Sequence, residues 1–244
     1  MDVGFIGCGK LGMACAETMA SKHDVTGYDI YPVKSDKIKI ASTLAEAVTD
    51  KDLIFIAVQT PHDPIYGGDQ PITHLKNKDF DYTVVNNVLK QVNEVASSNQ
   101  LVVLISTVLP GTTRRELRKH ITNARFIYNP YLIAMGTIKW DMVNPEMIMI
   151  GTEDGKDDTM AAELVALYRP MMKNNPRIVI GTWDECEAIK IFYNTFVSAK
   201  VGLVNMIQDF AMKIGNINVD VVTDALAAST MRIMGPKYMT AGMG

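Results

Sequence analysis

Asp2-Val3-Gly4-Phe5-Ile6-Gly7-Cys8-Gly9-Lys10-Leu11-Gly12 decides how the rest of the chain is read. Asp2 to Ile6 has the composition of a short buried strand. Gly7 to Gly12 spell G-x-G-x-x-G, and Met13 to Ser21 continue with helical character. A second strand, Val25 to Tyr28, ends on Asp29. A strand, a glycine turn, a helix and a second strand ending in an acid make the opening of a dinucleotide-binding βαβ unit. Gly7 lets the chain turn out of the strand, Gly9 lets backbone approach a pyrophosphate, and Gly12 lets the helix pack close to the sheet. The helix start offers unpaired N–H groups to phosphate, Leu11 among them through its backbone. Asp29 is placed to accept hydrogen bonds from the adenosine ribose, and its charge would repel a 2′-phosphate, which favours NAD over NADP. The alternative is a glycine turn in an α/β protein that binds no dinucleotide, with Asp29 an ordinary strand-end acid.

Working outward, the 244 residues allow one large or two modest domains, and 48% apolar with 21% charged residues is the composition of a globular chain with a substantial core. A formal charge of −3 and the lack of a Lys/Arg run argue against a nucleic-acid partner. No apolar run approaches the roughly 20 residues that span a bilayer, so no membrane association is expected. The chain enters a strand at once, which predicts no signal peptide. Cys8, Cys15 and Cys186 are scattered, and so are His23, His62, His74 and His120. Neither set has the spacing of a disulfide framework or a metal site, so no metal is expected and a reducing cytoplasm fits best. The 16 methionines read as adaptable core packing.

Beyond Asp29, Lys34 lies in a loop, where it could meet the adenosine ribose or a phosphate, or be an ordinary solvated lysine. Thr43-Leu44-Ala45-Glu46 has the form of a helix-capping box. Leu53 to Val58 is a continuous apolar run, as in a parallel strand buried on both faces, and Thr60 follows its end. Ligands of open parallel sheets lie beyond the strands' C-terminal ends, so Thr60 is placed to meet the dinucleotide. His62 to Lys78 reads as a long loop, Asp81 to Ser97 as a helix, and Leu101 to Ile105 as a strand ended by Ser106-Thr107-Val108. A helix is expected over Thr112 to His120, strands at Phe126–Tyr128, Met147–Gly151 and Arg177–Gly181, and a helix near Asp158–Met171. From Asp184 to about Ile214 the pattern is one long helix, followed by a shorter one from Val219. The expected architecture is α/β, a Rossmann-like doubly wound, mostly parallel sheet over 1–183, followed by an all-α segment over 184–244. On the long helix Lys190 and Asn194 are four apart and share a face. A cation beside an amide can stabilise an oxyanion, and the apolar neighbours Ile191 to Phe196 make a lysine costly there unless it has a task. Lys-x-x-x-Asn also occurs on ordinary solvated helix faces.

Taken together, these residues resemble the UDP-glucose/GDP-mannose dehydrogenase family of nucleotide-sugar dehydrogenases. The resemblance rests on Gly7-x-Gly9-x-x-Gly12, Asp29 with Lys34, Thr60-Pro61, Ser106-Thr107-Val108 before Pro110-Gly111-Thr112, and Glu187-x-x-Lys190-x-x-x-Asn194-Thr195 with Asn205. Arg232-Ile233, Gly235-Pro236-Lys237-Tyr238 and Gly242-Met243-Gly244 extend it to the end. It implies oxidation of a sugar C6 alcohol to a carboxylate with two NAD per turnover, through a cysteine-bound thiohemiacetal and thioester, in polysaccharide biosynthesis. By the same resemblance Lys190 and Asn194 would stabilise oxyanions, and Thr107 would place water and contact the cofactor. Gly7, Gly9, Leu11, Gly12, Asp29, Lys34 and Thr60 would hold NAD, a UDP-sugar would be the substrate, and the long helix would form a homodimer.

Three departures accompany it. The family's Gly-Gly-x-Cys segment and nucleotide-gripping third domain would begin about where Gly244 stands, so this polypeptide alone is expected to bind NAD without turnover. Tyr131 and Met135 stand where the family has two glutamates, and Met206 replaces another. Cys8 and Cys15 belong to the turn and first helix, and Cys186 precedes Lys190 on one helix, so none is expected to act as the nucleophile. Two other readings are a 3-hydroxyacid-type dehydrogenase, which also carries Lys-x-x-x-Asn, and a dinucleotide-binding or oligomerisation module without chemistry.

Overall fold

The computed structural model describes residues 1–156, 159–235, 237 and 239. Pro236, Tyr238 and Gly242 to Gly244, quoted above for the resemblance, lie outside the described residues. The described chain forms two compact units, Met1–Ile191 and a second beginning at Phe192.

The first unit is built on one eight-stranded sheet. Its strands are β1 (Asp2–Ile6), β2 (Asp24–Tyr28), β3 (Lys39–Ile40), β4 (Leu53–Ile56), β5 (Leu101–Leu104), β6 (Arg125–Tyr128), β7 (Met147–Thr152) and β8 (Arg177–Thr182). They lie in the order β3-β2-β1-β4-β5-β6-β7-β8, and every pairing is parallel except β6 with β7. All four residues of β4 and of β5 are buried, which is why these strands read as unbroken apolar runs. Side chains alternate between two cores. Val3, Phe5, Leu53, Phe55, Leu101 and Val103 face one layer of helices, while Ile54, Ile56, Val102 and Leu104 face the other.

The first layer holds α1 (Lys10–Met19), α4 (Ile138–Val143) and α5 (Thr159–Tyr168), through residues such as Ala16, Met19, Ile138 and Leu164. The second holds α2 (Leu44–Val48) and α3 (Thr83–Val95), through Ala47, Val48, Val85, Leu89 and Val92. The α3 contacts fall at i, i+4 and i+7, the helical period read in the sequence. At the start of α2 the Glu46 N–H donates to Thr43 Oγ1 at 3.2 Å, and Glu46 Oε2 accepts from the Ser42 N–H at 2.9 Å, a variant of the expected capping box.

Two local expectations change. The segment expected as a helix over Thr112 to His120 is instead a π-helical turn, Thr113–Leu117, running into a 3-10 turn, Arg118–His120. The N–H groups of Gly111 and Thr113 at its start bond to the Glu187 carboxylate, a partner from outside the segment. The helix expected near Asp158–Met171 is α5 followed by a 3-10 turn over Arg169–Met171, and Asp158 lies outside the described residues.

Helix α6 (Trp183–Ile214) begins in the first unit and continues into the second, which also carries α7 (Val219–Ala227). Asn218 caps α7, its side-chain oxygen accepting the Asp220 N–H at 2.9 Å. Phe192, Phe196, Val201, Met206 and Phe210 are all more than half exposed. Among the described residues no helix is long and apolar enough to cross a membrane.

Candidate functional site

The sheet order reverses direction between β1 and β4, so their C-terminal ends open a crevice. A cleft of about 490 Å³ lies there. It is walled by the Gly7–Gly12 turn after β1, Asp29 to Tyr31 after β2, Ala57 to Thr60 after β4 and Ile105 to Thr107 after β5. Tyr131 and Ile133 after β6, with Lys190 from α6, complete it.

The three glycines of the turn have different reasons to be glycine. Gly7 has φ +96°, in the left-handed region, and a Cβ there would stand 2.5 Å from the Ala57 carbonyl oxygen. Its N–H donates to the Tyr28 carbonyl at 2.9 Å, tying the turn to β2. A Cβ on Gly12 would collide with the Gly7 carbonyl oxygen. Gly9 is the contrast: it is exposed, lines the cleft, and nothing lies within 4 Å of where its Cβ would stand. Packing of the protein does not require a glycine there, whereas a ligand lying on the turn would. Helix α1 starts at Lys10 with no side chain capping its first turn, leaving N–H groups for an anion. These features fit a dinucleotide pyrophosphate.

Asp29 is half-buried, and its Oδ1 accepts the Tyr31 N–H at 3.0 Å. That bond fixes the carboxylate beside the exposed Ile30 and Tyr31, with acceptor capacity left for ribose hydroxyls. Thr60 Oγ1 donates to the Thr107 carbonyl at 2.6 Å, and Ser106 Oγ donates to the Val58 carbonyl at 2.6 Å. The loops after β4 and β5 are thus joined by two rungs. Lys34 is exposed in the loop after β2 and is not among the residues lining the cleft.

Lys190 is only 9% exposed, and its Nζ donates to the Tyr131 carbonyl at 2.7 Å. Burial holds its pKa below the ordinary lysine value. The Tyr131 backbone is itself anchored. Tyr168 OH donates to Asn129 Oδ1 at 2.5 Å, so in the 2.6 Å contact between the two phenols Tyr131 is the donor. Asn129 Nδ2 continues the chain to the Met149 carbonyl at 2.6 Å. Burial pushes both phenols' pKa values well up, so they stay neutral donors. Asp29 is the one carboxylate among the described residues lining the cleft. Met135, at the second departure from the family pattern, is exposed. Asn194 is exposed on α6, one turn beyond Lys190 and within the second unit.

Gly7, Gly9, Leu11, Gly12, Asp29, Thr60, Thr107 and Lys190, all candidates from the sequence, line one cleft. The Tyr131 carbonyl, the partner of Lys190, is invisible in sequence because any residue supplies a carbonyl. Glu187 has no role legible from its sequence position alone. A glutamate three residues before a lysine in an apolar helix was the available signal.

The cysteines are buried at 2% exposure or less, and burial pushes the thiols of Cys8, Cys15 and Cys186 each up to about 12. Desolvation outweighs any help that the start of α6 gives Cys186. At pH 8, a thiol reagent should therefore modify the folded chain about a thousandfold more slowly than the denatured chain, whose thiols titrate near ~8.5. Rapid modification of any one of the three without denaturant would contradict this.

Comparison with known proteins accords with this geometry. Residues 32–172 match the family model described as UDP-glucose/GDP-mannose dehydrogenase family, NAD binding domain, and residues 184–244 match that family's central domain. The first match starts after the glycine turn and Asp29, so those residues stand on their own geometry. A UDP-glucose 6-dehydrogenase of Caenorhabditis elegans is 28% identical over 224 residues, covering 88% of this chain and 44% of that protein. The UDP-glucose 6-dehydrogenase of Drosophila melanogaster is 24% identical, over 100% of this chain and 55% of its own length. The crystal structure of a GDP-mannose dehydrogenase from Pseudomonas aeruginosa superposes with a TM-score of 0.81 at 23% identity, over 100% of this chain and 60% of that one. The chain spans about half the length of the curated relatives it matches. With the family's NAD binding domain and central domain in sequence along it, the chain belongs to the UDP-glucose/GDP-mannose dehydrogenase family.

Proposed function

We propose that the chain supplies the NAD-binding and lysine-bearing part of a dehydrogenase that oxidises the C6 alcohol of a nucleotide sugar, a UDP-sugar, to a carboxylate. The observation that carries this reading is the single cleft that joins an open Gly9 cradle and Asp29 at one end to the buried Lys190 at the other. NAD, when bound, supplies the acceptor for the hydride leaving the alcohol carbon. The chain's own residues bind and orient. The turn Gly7–Gly12 and the start of α1 take the pyrophosphate, Leu11 contributes its N–H, and Asp29 takes the adenosine ribose. Thr60 and Thr107 border the nicotinamide end, where Thr107 also places water. Lys190 stabilises negative charge on the substrate oxygen, a role that family resemblance alone also gives to Asn194. Lys34 is assigned to the adenosine end on family resemblance alone. None of the three buried cysteines suits the family's thiolate step.

A homodimer formed through α6 belongs to the same reading, supported by the exposed apolar side chains of the second unit. A cytoplasmic setting is supported by three free cysteines. That Asp29 is the one carboxylate among the described residues lining the cleft favours a second reading, a module that binds the dinucleotide without chemistry.

Calorimetric titration with NAD, on the parent chain and on Asp29→Ala, tests the main reading. Saturable binding is expected, weakened about 10- to 100-fold by the substitution, the worth of a hydrogen bond to a charged group. NADP should bind more weakly than NAD to the parent and lose that disadvantage in Asp29→Ala. No binding at millimolar NAD, or equal affinity in the two chains, would overturn it.

A further inference from the structure

Glu187 is fully buried on α6, three residues before Lys190, and does not line the cleft. Its two carboxylate oxygens have separate partners, both backbone. Oε2 accepts the Gly111 N–H at 2.5 Å, and Oε1 accepts the Thr113 N–H at 2.7 Å. A buried carboxylate is costly unless its hydrogen bonds are met, and here they are met by a turn more than seventy positions away in sequence. Lys190, although next to it on the helix surface, reaches the Tyr131 carbonyl instead.

The clasped turn follows directly from Thr107, whose carbonyl receives the Thr60 hydroxyl. Between Thr107 and Gly111 the chain is held again, the Leu109 N–H donating to Tyr82 OH at 3.1 Å. Gly111 has φ +87°, so the turn reverses sharply at the point where Glu187 grips it. One short path therefore runs from Thr60 through Thr107 and the 108–113 turn to Glu187, and along less than one helical turn to Lys190.

We infer that Glu187 is a positioning residue: by clasping Gly111 and Thr113 it fixes the Thr107 loop, and with it the nicotinamide end of the cleft, to the helix that carries Lys190. This deepens the proposed function and rests on it. A purely structural glutamate would affect stability alone. A positioning glutamate also governs how tightly the cleft closes on its ligand and how rigidly the 107–113 turn is held.

The test measures NAD affinity, amide hydrogen exchange and thermal unfolding on the parent chain, Glu187→Gln and Val92→Ala. Gln keeps the shape but sets an N–H group against one of the two backbone donors. Val92 is a fully buried core residue of α3 outside the cleft, so its truncation reports simple loss of stability. The expected result is at least fivefold weaker NAD binding in Glu187→Gln, with exchange at Gly111 and Thr113 accelerated at least tenfold. In Val92→Ala, affinity and exchange at those amides should match the parent even though it melts lower. If Glu187→Gln does not fold, Glu187→Asp, which keeps the charge on a shorter reach, is judged by the same criteria. Parent-like affinity, or unchanged exchange at both amides, overturns the inference. Failure of the parent chain to bind NAD would instead overturn the proposed function, while the exchange comparison would still read the clasp.

Discussion

Gly9→Ala is expected to melt with the parent chain and to lose most of its affinity for NAD, while Gly7→Ala and Gly12→Ala melt much lower. The difference follows from what a methyl group would meet. At Gly9 the added carbon has open space on every side and φ is −67°, which any residue adopts, so the folded chain tolerates it. The same carbon enters the space left for the pyrophosphate and lengthens its bonds to the helix N–H groups. Charge-assisted bonds of that kind are worth about 1.5–3 kcal/mol, so binding should weaken about 10- to 150-fold. At Gly7 the substitution must hold an L-residue at φ +96° with its Cβ against the Ala57 carbonyl. The strain is about 1–2 kcal/mol and the overpacking adds about 1–3. At Gly12 the clash is with the Gly7 carbonyl, backbone against backbone, which no rotamer relieves. For a domain of this size each kcal/mol moves Tm by about 2–4 °C, so drops of about 5–15 °C are expected at these two positions. Circular dichroism melts and NAD titration on the three variants give the answer together. A Gly9→Ala chain that melts far below the parent would show that the turn is a packing feature. One that binds NAD as the parent does would remove the pyrophosphate from this turn.

That contrast marks what could be read from the sequence. The glycine turn was legible because its cause is local: a strand, the three glycines of the turn and the start of a helix within eleven residues. Strands β4 and β5 were legible because burial on both faces leaves continuous apolar runs. Residues at strand ends, such as Asp29, Thr60 and Thr107, followed from the rule that a parallel sheet gathers those ends in one crevice. What failed to show had non-local causes. Nothing near Met147 states that β7 runs antiparallel to β6; its direction depends on the path taken by residues 129–146. Helix α4 has six residues, and its Lys139 and Trp140 are exposed, so its apolar period is too short to recognise. The turn after Gly111 departs from the expected helix where Glu187 takes its first N–H groups. Lys190 drew notice for its apolar neighbours, but its anchor, a carbonyl held by the Tyr131–Tyr168–Asn129 chain, leaves no mark in residue identity.

Lys190→Met should separate stability from chemistry at that anchor. Methionine has nearly the length of lysine and no charge to desolvate. The parent lysine, 9% exposed with its Nζ bonded to a neutral carbonyl, carries a solvation cost that this bond only partly offsets. Stability at pH 7 should stay level or rise by about 1–2 kcal/mol, with Tm up to about 6 °C higher. The pH dependence fixes the cause. Burial lowers the folded-state pKa of Lys190, so between that value and the unfolded lysine value the unfolded chain binds the extra proton. The parent therefore gains stability as pH rises through that window, and Lys190→Met, lacking the group, does not. The stability gap between them should be widest below the folded-state pKa and should close as pH climbs toward the ordinary lysine range. A chain destabilised by the substitution, or a gap that stays constant with pH, would mean that Lys190 is held charged and well paired. Chemistry should move the other way. In a protein extended to the relatives' full length, losing a cation at the developing oxyanion lowers kcat about 10²- to 10⁴-fold. Asp29→Ala in the same protein should act on NAD affinity and leave kcat at saturating NAD nearly unchanged. The proposed role of Lys190 thus predicts a side chain that costs the fold stability and serves the reaction, and the pair of melts and rates measures both.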